Sequence, residues 1–153
     1  MVDRFQVVPA SYVVFRRGDL VLLQLRHGTG YMDGYWSTAA AGHIEANESA
    51  AQTAIREANE ELGVFITPEQ LVPLTVMHRT QGNGHAIDER VDFFFVCTAW
   101  RGEPQMMEPE KVADLRWFPL DDLPAALVPH ERYVFERLES GLTSITAYGF
   151  ATN

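Results

Sequence analysis

Three glutamates, Glu57, Glu60 and Glu61, lie close together in one short stretch of the chain. If residues 48–62 form a helix, which turns by about 100° per residue, their carboxylates fall within an arc of roughly 100°. Like charges three or four residues apart destabilise a helix by about 0.2–0.5 kcal/mol per pair, so a compensating charge is expected. Mg²⁺ prefers oxygen ligands and retains waters and substrate phosphate oxygens. The spacing therefore favours a divalent-cation site, and the alternative is a solvated acidic helix face.

The same stretch predicts the helix that would carry these carboxylates. Ser49 followed three residues later by Gln52 is a capping-box pattern, with Asn47 as the alternative cap. Gly63 is typical of a left-handed C-terminal cap. The apolar residues form an adjoining arc, which indicates a face packed on a core. They are Ala51, Ala54, Ile55, Ala58 and Leu62.

The glutamates also belong to a longer pattern of fixed spacing over residues 42–64. Its members are Gly42, Glu48, Arg56, Glu57, Glu60, Glu61 and Gly63, followed by the apolar Val64. With a background of roughly one in fifteen per position, agreement at seven positions by chance is negligible. The segment resembles the signature box of the Nudix hydrolase family at every defining position. Many members have Pro-Gly-Gly where this chain has Ala40-Ala41-Gly42, and Ala41 keeps the second position small.

The resemblance implies a fold, a cofactor and a reaction. The implied fold is α/β, a mixed sheet between helices in an α/β/α sandwich, with the box as loop, helix and loop. The implied cofactor is Mg²⁺, which Mn²⁺ can replace, and the reaction is hydrolysis of a diphosphate by activated water. By resemblance, Arg56 holds the catalytic glutamate through a salt bridge and Glu48 supports the box. The implied metal ligands are Gly42, through its carbonyl, and Glu57, Glu60 and Glu61. Glu57 is a ligand or the general base, and the catalytic set is Arg56, Glu57 and Glu60.

Two further residues outside the box resemble positions of the MutT-like branch of the family. Gly102-Glu103-Pro104 leads towards Glu108, which resembles a loop glutamate that joins the metal site. Glu110 is the second choice, and an exposed loop acid is the alternative for both. Arg26, before a Gly-rich loop, resembles a phosphate-contacting arginine, and a surface arginine is its alternative.

Three more residues are candidate substrate contacts. His43 lies in the loop of the box and is placed to touch phosphate, unless it simply faces solvent. Tyr35 and Phe93 are candidates to stack on a base, because aromatic stacking tolerates any base. Core packing is the alternative for each aromatic residue. Other aromatic residues considered for this role are Tyr31, Trp36 and Phe95.

The elements that must position these residues follow from periodicity and turn signals. Residues 12–15 and 20–25 predict a hairpin with a turn at Gly18. Strands are expected at 35–38, 71–78, 91–100 and 114–118, and a second helix at 129–138. Strands outnumber helices, which indicates a mixed sheet covered by helices.

Composition limits the remaining possibilities. A chain of 153 residues fits a single domain, taken here as residues 1–153. The net charge of −9 disfavours a nucleic-acid polymer as partner. No apolar run approaches the length of a membrane span, and the N-terminus lacks a signal-peptide pattern. The single Cys97 cannot form an internal disulfide, so a cytoplasmic protein is expected. Both a monomer and a homodimer remain possible.

The expected function is hydrolysis of a small nucleoside di- or triphosphate or a related nucleotide. The products would be a nucleoside monophosphate and pyrophosphate or phosphate. The alternatives are a hydrolase of nucleotide sugars or dinucleoside polyphosphates, and a nucleotide-sensing module without catalysis. An isopentenyl diphosphate isomerase shares the fold but needs a cysteine in a pocket, whereas Cys97 lies in a predicted core strand. Residues 123–130 contain no Asn for reading a base, which weakens specificity for oxidised guanine.

Overall fold

A computed structural model describes residues 2–151 of the chain. The ends of the predicted domain, Met1, Thr152 and Asn153, lie outside the described residues. The strands are β1 (Val8–Arg17), β2 (Leu20–Arg26), β3 (Trp36–Thr38), β4 (Ala40–His43), β5 (Val72–Arg79), β6 (Arg90–Cys97), β7 (Val112–Pro119) and β8 (Ile145–Tyr148). The α-helices are α1 (Ala50–Leu62) and α2 (Pro129–Phe135), and short 3₁₀ helices span Pro68–Gln70 and Ala86–Asp88.

The strands form a sheet in the order β3-β2-β1-β6-β5-β8, with β4 paired to β1 and β7 paired to β2. The pairs β1·β6 and β5·β8 are parallel, whereas the other pairs are antiparallel. The prediction of a mixed sheet is therefore confirmed.

Strand β1 lies at the centre of the sheet, and six consecutive residues of it are buried. Because side chains alternate along a strand, β1 contributes to cores on both faces. Val13 and Phe15 pack with Ala54 of α1 on one face. Tyr12 packs with Val134 of α2 on the other. The helices thus cover opposite faces of the sheet, as the sandwich fold requires.

The caps of α1 agree with the sequence. The Ser49 side chain accepts a hydrogen bond from the Gln52 backbone, and the Gln52 side chain accepts one from the Ser49 backbone. Gly63 adopts a left-handed conformation, with φ of 69°, and its N–H donates to the Asn59 carbonyl at 2.9 Å. Asn47, the alternative cap, precedes the helix and has a positive φ of 68°.

Two strands were not predicted from the sequence, β4 and β8. Strand β4 reads Ala-Ala-Gly-His and carries no β-branched residue, so it forms through its antiparallel pairing with β1 rather than through propensity. Helix α2 ends at Phe135, three residues earlier than expected, and turns continue to residue 140. Within residues 2–151, no helix has both the length and the apolar character needed to cross a membrane.

Candidate functional site

Helix α1 meets strand β4 through two carboxylates. Oε2 of Glu61 accepts a hydrogen bond of 2.8 Å from the backbone N–H of Ala41. The Glu57 side chain lies directly against Gly42, so closely that a Cβ on Gly42 would come within 2.8 Å of the Glu57 Cγ. Gly42 is therefore required by a close approach between backbone and carboxylate.

Arg56 organises the outer side of the same helix. Its Nε and Nη2 donate to Glu48 at 2.7 and 3.0 Å, and its Nη1 donates to Glu57 at 2.9 Å and to Glu60 at 3.1 Å. Glu48 also accepts a hydrogen bond from the Thr53 hydroxyl at 2.8 Å. The hydrogen bonds from Arg56, with a smaller contribution from Thr53, lower the pKa of Glu48 to about 2. Glu48 is thus a fixed anion that anchors Arg56, and Arg56 in turn orients Glu57.

The carboxylates of the site repel one another. Burial raises the pKa of Glu61 well above its usual value, and the charges of Glu57 and Glu108 raise it further. Burial also raises the pKa of Glu57, where Arg56 opposes the effect and Glu108 again adds to it. The predicted loop residue Glu108 therefore acts electrostatically on both helix glutamates.

The loop that carries Glu108 is held against the end of α1. The backbone N–H groups of Gln105 and Met107 donate to the carbonyls of Leu62 and Glu61, at 2.9 and 3.2 Å. Carbonyls in the last turn of a helix have no partner within the helix, and this loop satisfies two of them. The Glu108 carboxylate lies 3.5 Å from Lys111, whereas the second choice, Glu110, lies in an exposed turn.

The residues fit a hard divalent cation by their chemistry. All the expected donors are oxygens, and a cation would stabilise the ionised forms of Glu57 and Glu61, whose pKa is raised by burial first and by neighbouring carboxylates second. Within residues 2–151, no three His, Cys, Asp or Glu side chains form a converged metal-binding group. Arg56 holds an oxygen of both Glu57 and Glu60, and the Ala41 N–H donates to one of Glu61.

A cavity of about 410 Å³ opens beside this cluster. Gly42, His43 and Glu61 line it on the side of the box, and the predicted phosphate contact Arg26 also lines it. The Arg26 guanidinium donates to the Tyr31 carbonyl at 2.7 Å and to the Thr29 hydroxyl. The remaining lining residues are Ala10, Tyr12, Gln24, Tyr31, Ser37, Ala41, Arg79, Ile87, Asp88, Arg90 and Glu131.

The predicted stacking residues Tyr35 and Phe93 do not line this cavity within the described part of the chain. Phe93 alternates with the buried Asp92 and Phe94, so its side chain points to the opposite face of the sheet. Tyr35 precedes β3 and is partly exposed. Tyr31, from the Gly-rich loop, lines the cavity instead.

The floor of the cavity contains polar residues that the sequence reasoning missed. Glu131 is buried and accepts a hydrogen bond from the Thr38 backbone N–H at 2.7 Å. Gln24 is 6% exposed, and the hydroxyl of Ser37 is buried without a partner in the described structure. In the sequence, Gln24 interrupts an apolar strand, and Glu131 interrupts the apolar stripe of a helix. These polar interruptions are the signal that could have identified both residues as cavity residues.

A buried polar network continues inward from the cavity wall. Arg79 pairs with Asp92, and both are almost completely buried. The Tyr12 hydroxyl lies 3.5 Å from Arg79 and 3.3 Å from Nε2 of His130. Burial lowers the pKa of His130 well below its usual value, with the nearby arginines adding to the effect. This network fixes the cavity wall with a neutral His130.

Comparison with known proteins agrees with the geometry. A family model described as "NUDIX domain" matches residues 6–138. An isopentenyl-diphosphate Delta-isomerase of Jannaschia sp. is 31% identical over 113 residues, covering 74% of this chain and 64% of that protein. The NAD-capped RNA hydrolase NudC of Stutzerimonas stutzeri is 33% identical over 117 residues, covering 76% of this chain. The chain spans only 38% of that second relative.

A solved structure shows the same fold. The crystal structure of a MutT NUDIX hydrolase from Burkholderia pseudomallei superposes with a TM-score of 0.77 and 28% sequence identity. The match covers 87% of this chain and 98% of that chain. The expected α/β fold and the resemblance read from residues 42–64 are both confirmed.

Proposed function

This chain belongs to the NUDIX domain family, and we propose that it is a Mg²⁺-dependent hydrolase of a nucleoside di- or triphosphate or a related nucleotide. The products are a nucleoside monophosphate and pyrophosphate or phosphate. One observation supports the proposal: Ala41, Gly42 and Glu61 line a 410 Å³ cavity, and Glu57 lies directly against Gly42. A cavity of this size falls in the range of small-molecule sites.

The proposed metal ligands are Glu57, Glu60, Glu61, Glu108 and the carbonyl of Gly42. When bound there, Mg²⁺ supplies Lewis acidity towards phosphate oxygens and lowers the pKa of water, and Mn²⁺ can take its place.

The chain's own residues orient the reactants. Arg56 holds the Glu57 carboxylate in place, and Glu48 holds Arg56. Arg26 and His43 line the cavity beside the cluster and suit contact with the anionic part of the substrate. Tyr31 and the polar floor suit a nucleoside, because the exposed Tyr31 ring offers a stacking surface and Gln24 and Glu131 offer hydrogen bonds.

The isomerase named among the relatives is the second candidate, and the structure argues against it. The expected isomerase chemistry needs a cysteine in a pocket. Cys97 is completely buried in the core next to α1, and its thiol donates to the Ala99 carbonyl. Burial raises the pKa of the thiol, which disfavours the reactive thiolate.

The test is a phosphate-release screen with Mg²⁺ or Mn²⁺. The substrates are nucleoside di- and triphosphates, dinucleoside polyphosphates and nucleotide sugars, with isopentenyl diphosphate isomerisation assayed in parallel. Turnover of nucleotide sugars but not triphosphates would change the substrate class and keep the chemistry. Mg²⁺-dependent nucleotide binding without any release would favour the sensing module, and Cys97-dependent isomerisation would favour the isomerase.

Variants locate the chemistry on α1. Glu57→Gln and Glu60→Gln should each reduce turnover by orders of magnitude with little change in melting temperature. The matched control is Glu69→Gln, an exposed glutamate on the 3₁₀ helix that follows α1. Wild-type activity in both box variants would refute the assignment of α1 as the catalytic helix.

A further inference from the structure

Two arginines of the cavity wall face each other across the β5·β6 ladder. Arg79 and Arg90 are direct register partners in this antiparallel pair, and both line the cavity. Like charges directly opposite on neighbouring strands are destabilising. The buried Asp92 neutralises Arg79. Within residues 2–151, no carboxylate forms a salt bridge with Arg90, although Asp88 lines the same cavity and the charge of Arg90 helps to lower the pKa of the buried Asp92.

Arg90 is held in place by neutral groups. Its Nη1 donates to the Ile87 carbonyl at 3.2 Å, and its Nη2 lies 3.0 Å from Nε2 of His43. Its Nε is buried without a partner in the described structure. Since a guanidinium has five N–H donors and no acceptor, His43 must accept through Nε2, and Nδ1 then carries the ring proton. The Arg90–His43 pair therefore keeps N–H donors that are not yet used. The acceptor nitrogen of the imidazole is already engaged by Arg90.

The pair also lies at the right place for a phosphate. His43 follows Gly42 directly, and Gly42 touches Glu57. Arg90, His43, Gly42 and Glu61 line the same cavity. If the nucleoside of a substrate occupies the cavity and its scissile diphosphate reaches Glu57, the phosphate next to the nucleoside lies near this rim.

The other two arginines of the cavity have different partners. The Arg26 guanidinium is engaged by the carbonyl of Tyr31 and the hydroxyl of Thr29. Arg79 is buried in its pair with Asp92. Arg26 and Arg90 both lack an acidic partner in residues 2–151, and Arg90 is the one that contacts His43, the neighbour of Gly42 in the box.

We propose that Arg90 and His43 together bind the phosphate attached directly to the nucleoside, the one that remains on the monophosphate product. This inference rests on the proposed function. The phosphate that leaves lies on the side of the glutamates and is not held by Arg90. Arginine matches phosphate through its planar fork, which lysine lacks.

The test compares Arg90→Gln and Arg90→Lys with wild type, using product inhibition as the readout. A lost charged hydrogen bond should weaken inhibition by the nucleoside monophosphate about 10- to 100-fold in Arg90→Gln. KM for the triphosphate should rise similarly, and inhibition by inorganic pyrophosphate should not change. Arg90→Lys should recover part of the loss, because it keeps the charge without the fork. Arg116→Gln, an exposed arginine outside the cavity lining, is the control for removal of a positive charge.

The outcomes separate this inference from the proposed function. Normal turnover with unchanged monophosphate inhibition in both Arg90 variants refutes the subsite and leaves the hydrolase standing. Equal weakening of monophosphate and pyrophosphate inhibition refutes the assignment to one phosphate. If the wild-type protein hydrolyses no nucleotide, the subsite is still tested by calorimetry, which compares the binding of AMP and of adenosine in Mg²⁺. Tighter binding of AMP than of adenosine in wild type, lost in Arg90→Gln, supports the subsite. Equal binding of AMP and adenosine in wild type refutes it.

Discussion

Replacing Gly42 by alanine separates the packing of the box from its chemistry. Gly42 does not have a positive φ, so its backbone accepts alanine without strain. The new Cβ would lie 2.2 Å from Oε1 of Glu57. Non-bonded heavy atoms pack at about 3.5 Å, so the Glu57 carboxylate must move away from the new methyl group by about 1 Å. The displaced atoms are the end of a flexible side chain, which limits the cost in stability.

The expected result is a large loss of activity in a folded protein. A displacement of about 1 Å at a reacting group costs about 10²-fold in rate, so kcat of Gly42→Ala should fall by about that factor. Phosphate release at saturating Mg²⁺ measures kcat, and thermal melting checks that the fold persists.

A second substitution tests whether the clash is the cause. Glu57→Asp shortens the carboxylate and withdraws it from the new methyl group. Gly42→Ala should therefore cost less in the Glu57→Asp background than in wild type, a coupling that a double-mutant cycle measures. Wild-type kcat in Gly42→Ala, or fully additive losses, would show that close packing of Gly42 on Glu57 does not position the carboxylate.

Three further predictions concern residues that support the site. Glu48→Gln should lower the melting temperature at pH 7. This difference should vanish as pH falls from the ordinary pKa of 4.5 towards the folded value of about 2, because protonation of Glu48 then removes its ion pair with Arg56 in wild type too. Arg79→Met leaves Asp92 buried without its partner and should cost about 3–5 kcal/mol in urea unfolding. Glu131→Ala leaves a β3 backbone N–H without its acceptor and should cost about 1–3 kcal/mol in the same assay, whereas Glu131→Gln keeps an acceptor and should cost less.

The local features of the site were readable from the sequence because they depend on residues close together in the chain. The Ser49 cap, the Gly63 cap and the carboxylate face of α1 all follow from spacings of three or four residues. Physical periodicity alone indicated a cation-binding face, and only the resemblance over residues 42–64 indicated a diphosphate hydrolase.

The cavity could not be predicted from the sequence because its residues come together only when the sheet forms. Thr38 and Glu131 are 93 positions apart, and His43 and Arg90 are 47 positions apart. Strand β4 has no propensity signal, since pairing with β1 creates it. The choice of Phe93 as a stacking residue depended on which face of β6 lines the cavity, and neighbouring phenylalanines on both sides of that strand hide the answer.

Glu61 shows how packing and chemistry compete within the box. It is half-buried, and its neighbours Glu57 and Glu108 carry the same charge, whereas the hydrogen bond it accepts in the described residues comes from the neutral Ala41 backbone. Glu61→Gln keeps an oxygen acceptor for the Ala41 N–H and removes the charge. Without divalent cation, this variant should therefore melt higher than wild type, by about 2–4 °C for each kcal/mol of repulsion relieved.

Added Mg²⁺ should reverse that order. Wild type gains stability from a cation that binds the folded state, and the Glu61→Gln variant gains less because one anionic donor is lost. Melting curves in EDTA and over a Mg²⁺ titration measure both effects. A variant that melts lower than wild type in EDTA would contradict this prediction. It would show that the Glu61 carboxylate stabilises the fold by itself. Its position would then be a packing requirement and not a destabilising feature that metal binding requires.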